Sequence, residues 1–365
     1  MSDPASVATS PRAASTLPVV DVVVNNFNYG RFLQDSITSA LAQTHECVNV
    51  IVVDDGSTDD SRDVIESFGD RIVSVLKPNG GQASAFNAGL EHARGDVVIF
   101  LDADDLLDPR AAELVARAFH AQPPLAKVHY RLAVVDDTGV ATGEIKPSPH
   151  IPLPAGDLRA AMARFPFDLA RPATSGNAFS ARVLKEIAPV PTGNRTAADW
   201  YVVYVAALFG PVGAIDEPLG YYRVHGDNTH ARGGAALDLE HVRATIERTR
   251  RAKGYLQAAA PRAGIPWDAR DASMCEVADR AISLKLDPSR HPIEGDTLTG
   301  LVVLGTRAAA RRFDVGLAMK VVFVGWLVCL TVAPRALART VAEIFVFPER
   351  RRSLNNWVAK MHRRR

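Results

Sequence analysis

Apolar and polar positions alternate in long blocks over the first hundred residues, and the blocks change period as they go. Residues 19–24 (VVDVVV) are a β-branched run, and 48–53 (VNVIVV) and 72–76 (IVSVL) repeat the pattern. Such short runs predict strands. Between them Phe32, Leu33, Ile37, Ala40 and Leu41 recur at helical spacing, and residues 82–93 form a second helical stretch. Residues 97–102 (VVIFLD) give a fourth strand, whose five uninterrupted apolar positions suit burial on both faces. Strands alternating with helices at this spacing predict βαβ units and a mainly parallel sheet, because parallel neighbours need crossover connections. Pro109 opens a further helix with Asp108 as its cap, and Thr58 or Asp59 is expected to cap the helix after the second strand.

Ligands in such sheets sit outside the carboxyl ends of the strands. Four polar clusters fall there: residues 25–28 (NNFN), Asp54 with Asp55, residues 77–81 (KPNGG), and Asp102 with Asp104 and Asp105. Each alone is an ordinary turn. Their shared placement predicts one site. Three carboxylates within four residues repel unless a cation or a set of donors neutralises them, so Asp102 and Asp104 point to a hard divalent metal or phosphate chemistry. One helix cap needs only one of them. Neither GxGxxG after the first strand nor GxxxxGK[ST] occurs, so a nucleotide would be held in another way.

The 365 residues, 47% hydrophobic, leave room for one large domain plus an appendage, or for two domains. A net charge of +1 argues against a nucleic-acid partner. Cys47, Cys275 and Cys329 are too far apart for a disulfide framework or zinc cluster, which fits a reducing cytosol. Residues 1–17 lack a secretory pattern and are expected to form a disordered tail. After position 231 the chain is rich in Ala, Arg, Glu and Leu, and Pro261, Pro266 and Pro288 divide it into short helices. From 301 onward it becomes apolar and basic. The uncharged run VVFVGWLVCLTVAP lies between Lys320 and Arg335, with Arg311, Arg312, Arg339, Arg350 to Arg352 and Arg363 to Arg365 around it. Its fourteen or so residues reach about 21 Å as a helix, short of a roughly 30 Å hydrocarbon core. An interfacial helix on anionic lipid, with Trp326 and Trp357 at that depth, competes with a helix packed inside the protein.

From about residue 19 to 228 the chain resembles the inverting glycosyltransferases of family 2, which have the GT-A fold. The resemblance rests on an ordered set: VVVNNFNYGRFLQDSITSALAQT, VIVVDDGSTDDS, NGGQASAFNAGLEHARGDVVIFLDADD, SGNAFSARVL, ADWYVVYVAALFG and IDEPLGYYRVHGDN. It implies a Rossmann-like catalytic domain over 18–230, a helical extension over 231–300 and a C-terminal segment over 301–365. By this resemblance Asn26, Phe27 and Asn28 line the nucleotide pocket, and Asp54 and Asp55 contact base and ribose. Gly80 and Gly81 form the loop that approaches the donor, with Asn87 on the helix behind it. Asp102 and Asp104 match the family's metal-binding DxD, with Asp105 beside it on the donor side and His225 near the metal. Asp199 stands where the family has its catalytic base. The family's preceding Glu is Ala198 here. Asn177 and Trp200 fall on the acceptor side.

The implied activity is transfer of a sugar from a nucleotide-diphosphate sugar, UDP-linked, to a glycan or lipid-linked acceptor in cell-surface polysaccharide assembly. It implies a divalent metal, magnesium or manganese; the apolar and basic C-terminal segment adds the expectation of a cytoplasmic protein held peripherally on the cytoplasmic face of the membrane. Two other readings remain at this point: a sugar-nucleotide-binding partner without catalysis, and a nucleotidyltransferase. Asp199 is also a plausible helix cap and His225 a turn residue.

Overall fold

Val20, Val22, Val23 and Val24 have no exposed surface, because the strand they form, β1 (Val20–Asn26), is hemmed in on both sides. The computed structural model describes residues 17–121, 124–193, 198–226 and 237–347. After β1 come α1 (Gly30–Leu41), β2 (Val48–Asp54), α2 (Ser61–Phe68), β3 (Val73–Leu76), α3 (Gln82–His92) and β4 (Val97–Asp102). β1 pairs in parallel with β2 and with β4, and β2 pairs in parallel with β3. β1 runs two residues beyond its apolar block, since Asn25 and Asn26 still pair with Val53 and Asp54. Asp59 does not cap α2 from the N-cap position, which Asp60 holds without a side-chain bond. Asp59 instead accepts from Ser61 N and from Gly30 N at the head of α1. Asp108 behaves as expected, accepting from Arg110 N at 3.0 Å.

The sheet then changes character. β5 (Leu106–Leu107), α4 (Ala111–Ala121), β6 (Lys127–Val135), β7 (Ala141–Lys146), α5 (Arg159–Arg164), β8 (Asn177–Ser180), α6 (Ala181–Ile187), α7 (Ala198–Ala206) and β9 (Val212–Arg223) follow. The nine-stranded sheet has the order β3-β2-β1-β4-β8-β6-β9-β5, with β7 on β6. β8 is antiparallel to both β4 and β6, whereas β9 is parallel to β6. β4 and β9 therefore point the same way, and Asp102 and Arg223 end at the same edge.

The alternation along β4 explains the two cores. Val98 and Phe100 pack with α3, α6 and α7, while Val97, Ile99 and Leu101 pack with α1, α2 and α4. Each buried side chain of this size contributes roughly 1.5–3 kcal/mol. Gly89 lets α3 lie against β1, since a Cβ there would meet Val23 Cγ1 at 2.4 Å.

A third core gathers α8 (Leu239–Ala259), α9 (Met274–Leu286), α10 (Leu298–Arg311), α11 (Leu317–Val332) and α12 (Arg335–Val346). Pro261 follows α8, and Pro288 follows α9, as their lack of an N–H donor dictates. The sequence reading divides the chain at 300, but α10 runs through that point and both sides share Leu301, Phe323, Leu327 and Ala338 in one core. No described helix is long and apolar enough to cross a membrane. Residues 1–16, Asn228, Trp357 and the arginines at 350–352 and 363–365 lie outside the described residues.

Candidate active site

The acidic end of β4 is a braced turn. Ser175 Oγ accepts from Asp102 N at 3.1 Å and donates to Asp105 Oδ2 at 2.7 Å, so one hydroxyl from the turn before β8 ties both ends of the acidic cluster. Arg223, the last residue of β9, donates its backbone N–H to Asp105 Oδ1 at 3.0 Å and its Nε to Asp104 O at 3.0 Å. Asp105 is 1% exposed and fully engaged, which makes it a brace for the turn. Asp102 and Asp104 keep part of their surface. His225, two residues past β9, brings Nε2 to 3.0 Å from Asp104 Oδ2, and its ring is held between Tyr29 and Phe32.

Crowding shows in the proton affinities. Burial and the charges of Asp104 and Asp199 push the Asp102 carboxyl up, with a bond from Thr174 opposing. Burial and the charges of Asp104 and Asp102 push Asp105 up as well. A cation would relieve both. Among the described residues no three His, Cys, Asp or Glu side chains form a metal-holding group. A magnesium-class ion commonly takes one or two carboxylates and completes its shell with substrate phosphates and water. Asp102 and Asp104 are two carboxylates of the kind such a partial donor set takes.

The donor-side residues divide into braces and open groups. Asn26 Nδ2 donates to Asp54 Oδ1 at 3.0 Å and Ser57 Oγ at 3.1 Å, while its own Oδ1 is buried with no partner. Asp54 is fully buried and also accepts from Ser57 N and Arg62 Nε. It therefore presents no surface to a base or ribose. Asp55 accepts from Gly80 N and Gly81 N at 2.9 and 2.7 Å and pairs with Lys77. It fastens the glycine loop, where Gly81 turns at φ +82° into α3, a conformation that costs glycine little. Asn28, also at positive φ, takes its N–H to Ser57 Oγ and accepts from Thr58 N. Both polar atoms of the Asn87 amide are taken by the Val190 backbone. Phe27, 45% exposed, is the open aromatic surface beside this edge.

Asp199 is the second residue of α7, inside the helix. Its Oδ2 lies 3.7 Å from Arg171 Nη1, and Ala198 N donates to Gln82 Oε1 at 3.1 Å, which ties α7 to the helix behind the glycine loop. Its charge bears on Asp102, so the base candidate lies within electrostatic reach of the acidic turn. Trp200 is buried and packs with Phe167, Tyr204 and the Arg171 guanidinium. Asn177 is fully buried, accepting from Lys127 Nζ at 2.6 Å and donating to Ala173 O. Both expected acceptor-side residues thus support the floor and do not open to an acceptor, since their positions belong to the packed face of β8 and α7.

Reading the sequence missed the bracing residues. Ser175 and Arg223 stand inside SGNAFSARVL and IDEPLGYYRVHGDN, yet a serine and an arginine there carry no signal until β8 and β9 are known to flank β4. Arg171 and Lys127 lie outside every motif.

Comparison with known proteins bears on the family and the fold. The family model described as "Glycosyl transferase family 2" matches residues 21–164, from β1 to α5. An uncharacterised glycosyltransferase of Nostoc sp. is 35% identical over 237 residues, 63% of this chain and 73% of that protein. Chondroitin synthase of Pasteurella multocida is 38% identical over 116 residues, 31% of this chain and 12% of that one. Among solved structures, S. aureus TarS 1–349 has a TM-score of 0.54 at 16% identity, covering 90% of this chain and 91% of that one, a likeness in GT-A fold. The Nostoc relative, matched over most of its length, carries the assignment together with the family model over residues 21–164: the chain belongs to glycosyl transferase family 2.

Proposed function

We propose that this protein is an inverting glycosyltransferase that moves a sugar from a nucleotide-diphosphate sugar, UDP-linked, to a hydroxyl of a glycan or lipid-linked acceptor in cell-surface polysaccharide assembly. The observation that carries this reading is the contact of His225 with Asp104 at the end of β4, with Asp199 close enough for its charge to act on Asp102. Asp199 removes the acceptor's proton as the new bond forms, and a single displacement inverts the anomeric centre. Asp102, Asp104 and His225 would hold a magnesium or manganese ion. Such an ion supplies Lewis-acid neutralisation of the leaving diphosphate. Phe27 offers a face to the base, and the glycine loop fastened by Asp55 brings backbone close to the donor. S. aureus TarS, of similar fold, is known in complex with UDP and with UDP-GlcNAc.

The C-terminal helices favour a place on the cytoplasmic membrane face. Leu317, Val321, Val328 and Val332 are 76%, 61%, 41% and 74% exposed and recur on one side of α11, an unusually continuous apolar stripe for a surface helix. The chain beyond 347 is rich in arginine, which suits anionic lipid. Trp326 is not part of that stripe: its Nε1 donates to Val341 O at 2.8 Å and its ring stacks on Phe345.

The test is thermal stabilisation by a panel of nucleotide sugars with and without manganese, because a ligand that binds only the folded state raises the melting temperature. The expected result is stabilisation by a uridine diphosphate sugar that a chelator removes. Stabilisation by none of the panel contradicts the reading.

A further inference from the structure

The catalytic reading leaves two cations near Asp199, Arg171 and Arg248, without a task, with Lys127 behind Arg171. Arg171 lies over the rings of Trp200 and Tyr204, 4.3 and 5.5 Å from their centroids, and 3.7 Å from Asp199 Oδ2. That separation is an ion pair beyond hydrogen-bond length. Lys127 sits within the sheet, where burial and the charge of Arg171 push its ammonium down to about 7. The second is Arg248, from α8. Tyr201 meets Tyr255 ring to ring, and the Arg262 guanidinium lies over Phe209. The chain just past α7 therefore meets the chain just past α8, as Tyr201 meets Tyr255 within them. Tyr255 is level with Tyr201 near the start of α7, so Arg248, two turns earlier on α8, overhangs the end of α7 that carries Asp199. Its Nε is buried without a hydrogen-bond partner, and its Nη2 donates to Thr245 Oγ1 at 3.0 Å. Burial lowers its proton affinity, the charge of Asp199 raises it, that of Arg171 lowers it, and that of Asp279 on α9 raises it.

A guanidinium next to a general base weakens that base by stabilising the carboxylate. Two of them, half-buried, are costly to keep unless another anion takes up their donors. Arginine's planar fork is suited to phosphate and carboxylate oxygens. We propose that Arg171 and Arg248 bind an anionic group, a phosphate or a carboxylate, carried by the acceptor beside the hydroxyl that Asp199 deprotonates. The proposal rests on the glycosyltransfer reading and narrows it: the acceptor is an anionic glycan or a phosphate-containing polymer, and a neutral sugar chain lacks the group the site is built to hold.

The experiment is ligand-observed NMR titration of the full chain with glycerol 3-phosphate, glucuronate, glycerol and glucose, run with and without saturating UDP and manganese. The expected result is binding of at least one anionic probe while UDP is bound, and of neither neutral one. A preference for glycerol 3-phosphate assigns a phosphate polymer, and a preference for glucuronate assigns a uronic-acid glycan. Arg171→Met and Arg248→Met should each weaken the anionic probe tenfold or more without changing UDP affinity. Arg248→Gln, which keeps a donor for Thr245, guards against a folding defect, and melting temperatures check all three. Anionic and neutral probes binding alike, neither anionic probe binding, or variants binding as well as wild type would overturn the proposal. Loss of UDP binding in wild type, with anion binding intact, would instead contradict the donor reading alone.

Discussion

His225 Nε2 lies 3.0 Å from Asp104 Oδ2, although 121 residues separate them along the chain. The contact exists because β4 and β9 end at the same edge, and Arg223 locks that edge by bonding Asp104 O and Asp105. Asp104→Ala should abolish divalent-dependent donor binding while leaving the fold intact, since Asp104 keeps part of its surface and Ser175 and Arg223 brace the turn through Asp102 N, the Asp104 carbonyl and Asp105. Calorimetric titration of the donor with and without chelator checks this. Unchanged, chelator-sensitive binding contradicts it.

Ser175 holds the turn from below. Ser175→Ala leaves one oxygen of the buried Asp105 without its donor and Asp102 N without its acceptor, a loss of about 1–3 kcal/mol. Chemical denaturation should show that loss, together with reduced turnover. A variant as stable as wild type would mean that water or a neighbour replaces the hydroxyl at no cost.

Most of the donor half was legible in the sequence, and the reason is local. β4 is an uninterrupted apolar run, β1 and β2 are broken only by Asp21 and Asn49, and all three end in Asn or Asp, so both strand and edge can be read from consecutive residues. The antiparallel half was not. β8 is four residues long, too short to show a period, and β9 carries Pro218 and polar positions. Without them nothing predicts that Ser175 and Arg223 meet at Asp105. Motif resemblance supplied Asp199 and His225. It could not show that Asp54, Asn87 and Asn177 spend their polar atoms on the protein, because that depends on distant partners such as Arg62, Val190 and Lys127.

Lys127 gives a pH signature. Its folded ammonium titrates near 7, whereas the unfolded chain keeps the proton up to about 10.4. Between these values the unfolded state binds more protons, so this group adds stability as pH rises through that window and none below it. Lys127→Met lacks that gain. The melting-temperature difference between wild type and variant should move in favour of wild type from pH 6.5 to pH 9.5. Parallel pH profiles would contradict a buried, depressed lysine.

The membrane reading separates from folding by surface substitution. Truncation before Gly300 would cut into the core shared by α9, α10 and α11, so Val321→Ser, Val328→Ser and Val332→Ser together are the better probe. The triple variant should keep its melting temperature within a few degrees and lose cosedimentation with anionic liposomes. High salt alone should release only part of the wild type, because salt screens the basic chain but not apolar burial. Wild-type protein that ignores such liposomes would favour an apolar stripe covered by another protein surface.

The most direct measurement follows the products. Wild type and Asp199→Asn are incubated with the stabilising nucleotide sugar, manganese and acceptor, and released nucleoside diphosphate and pyrophosphate are quantified. The account predicts nucleoside diphosphate from wild type, and a turnover lower by about a hundredfold or more in Asp199→Asn with donor affinity retained. Pyrophosphate as the product, or near wild-type turnover in Asp199→Asn, would contradict it.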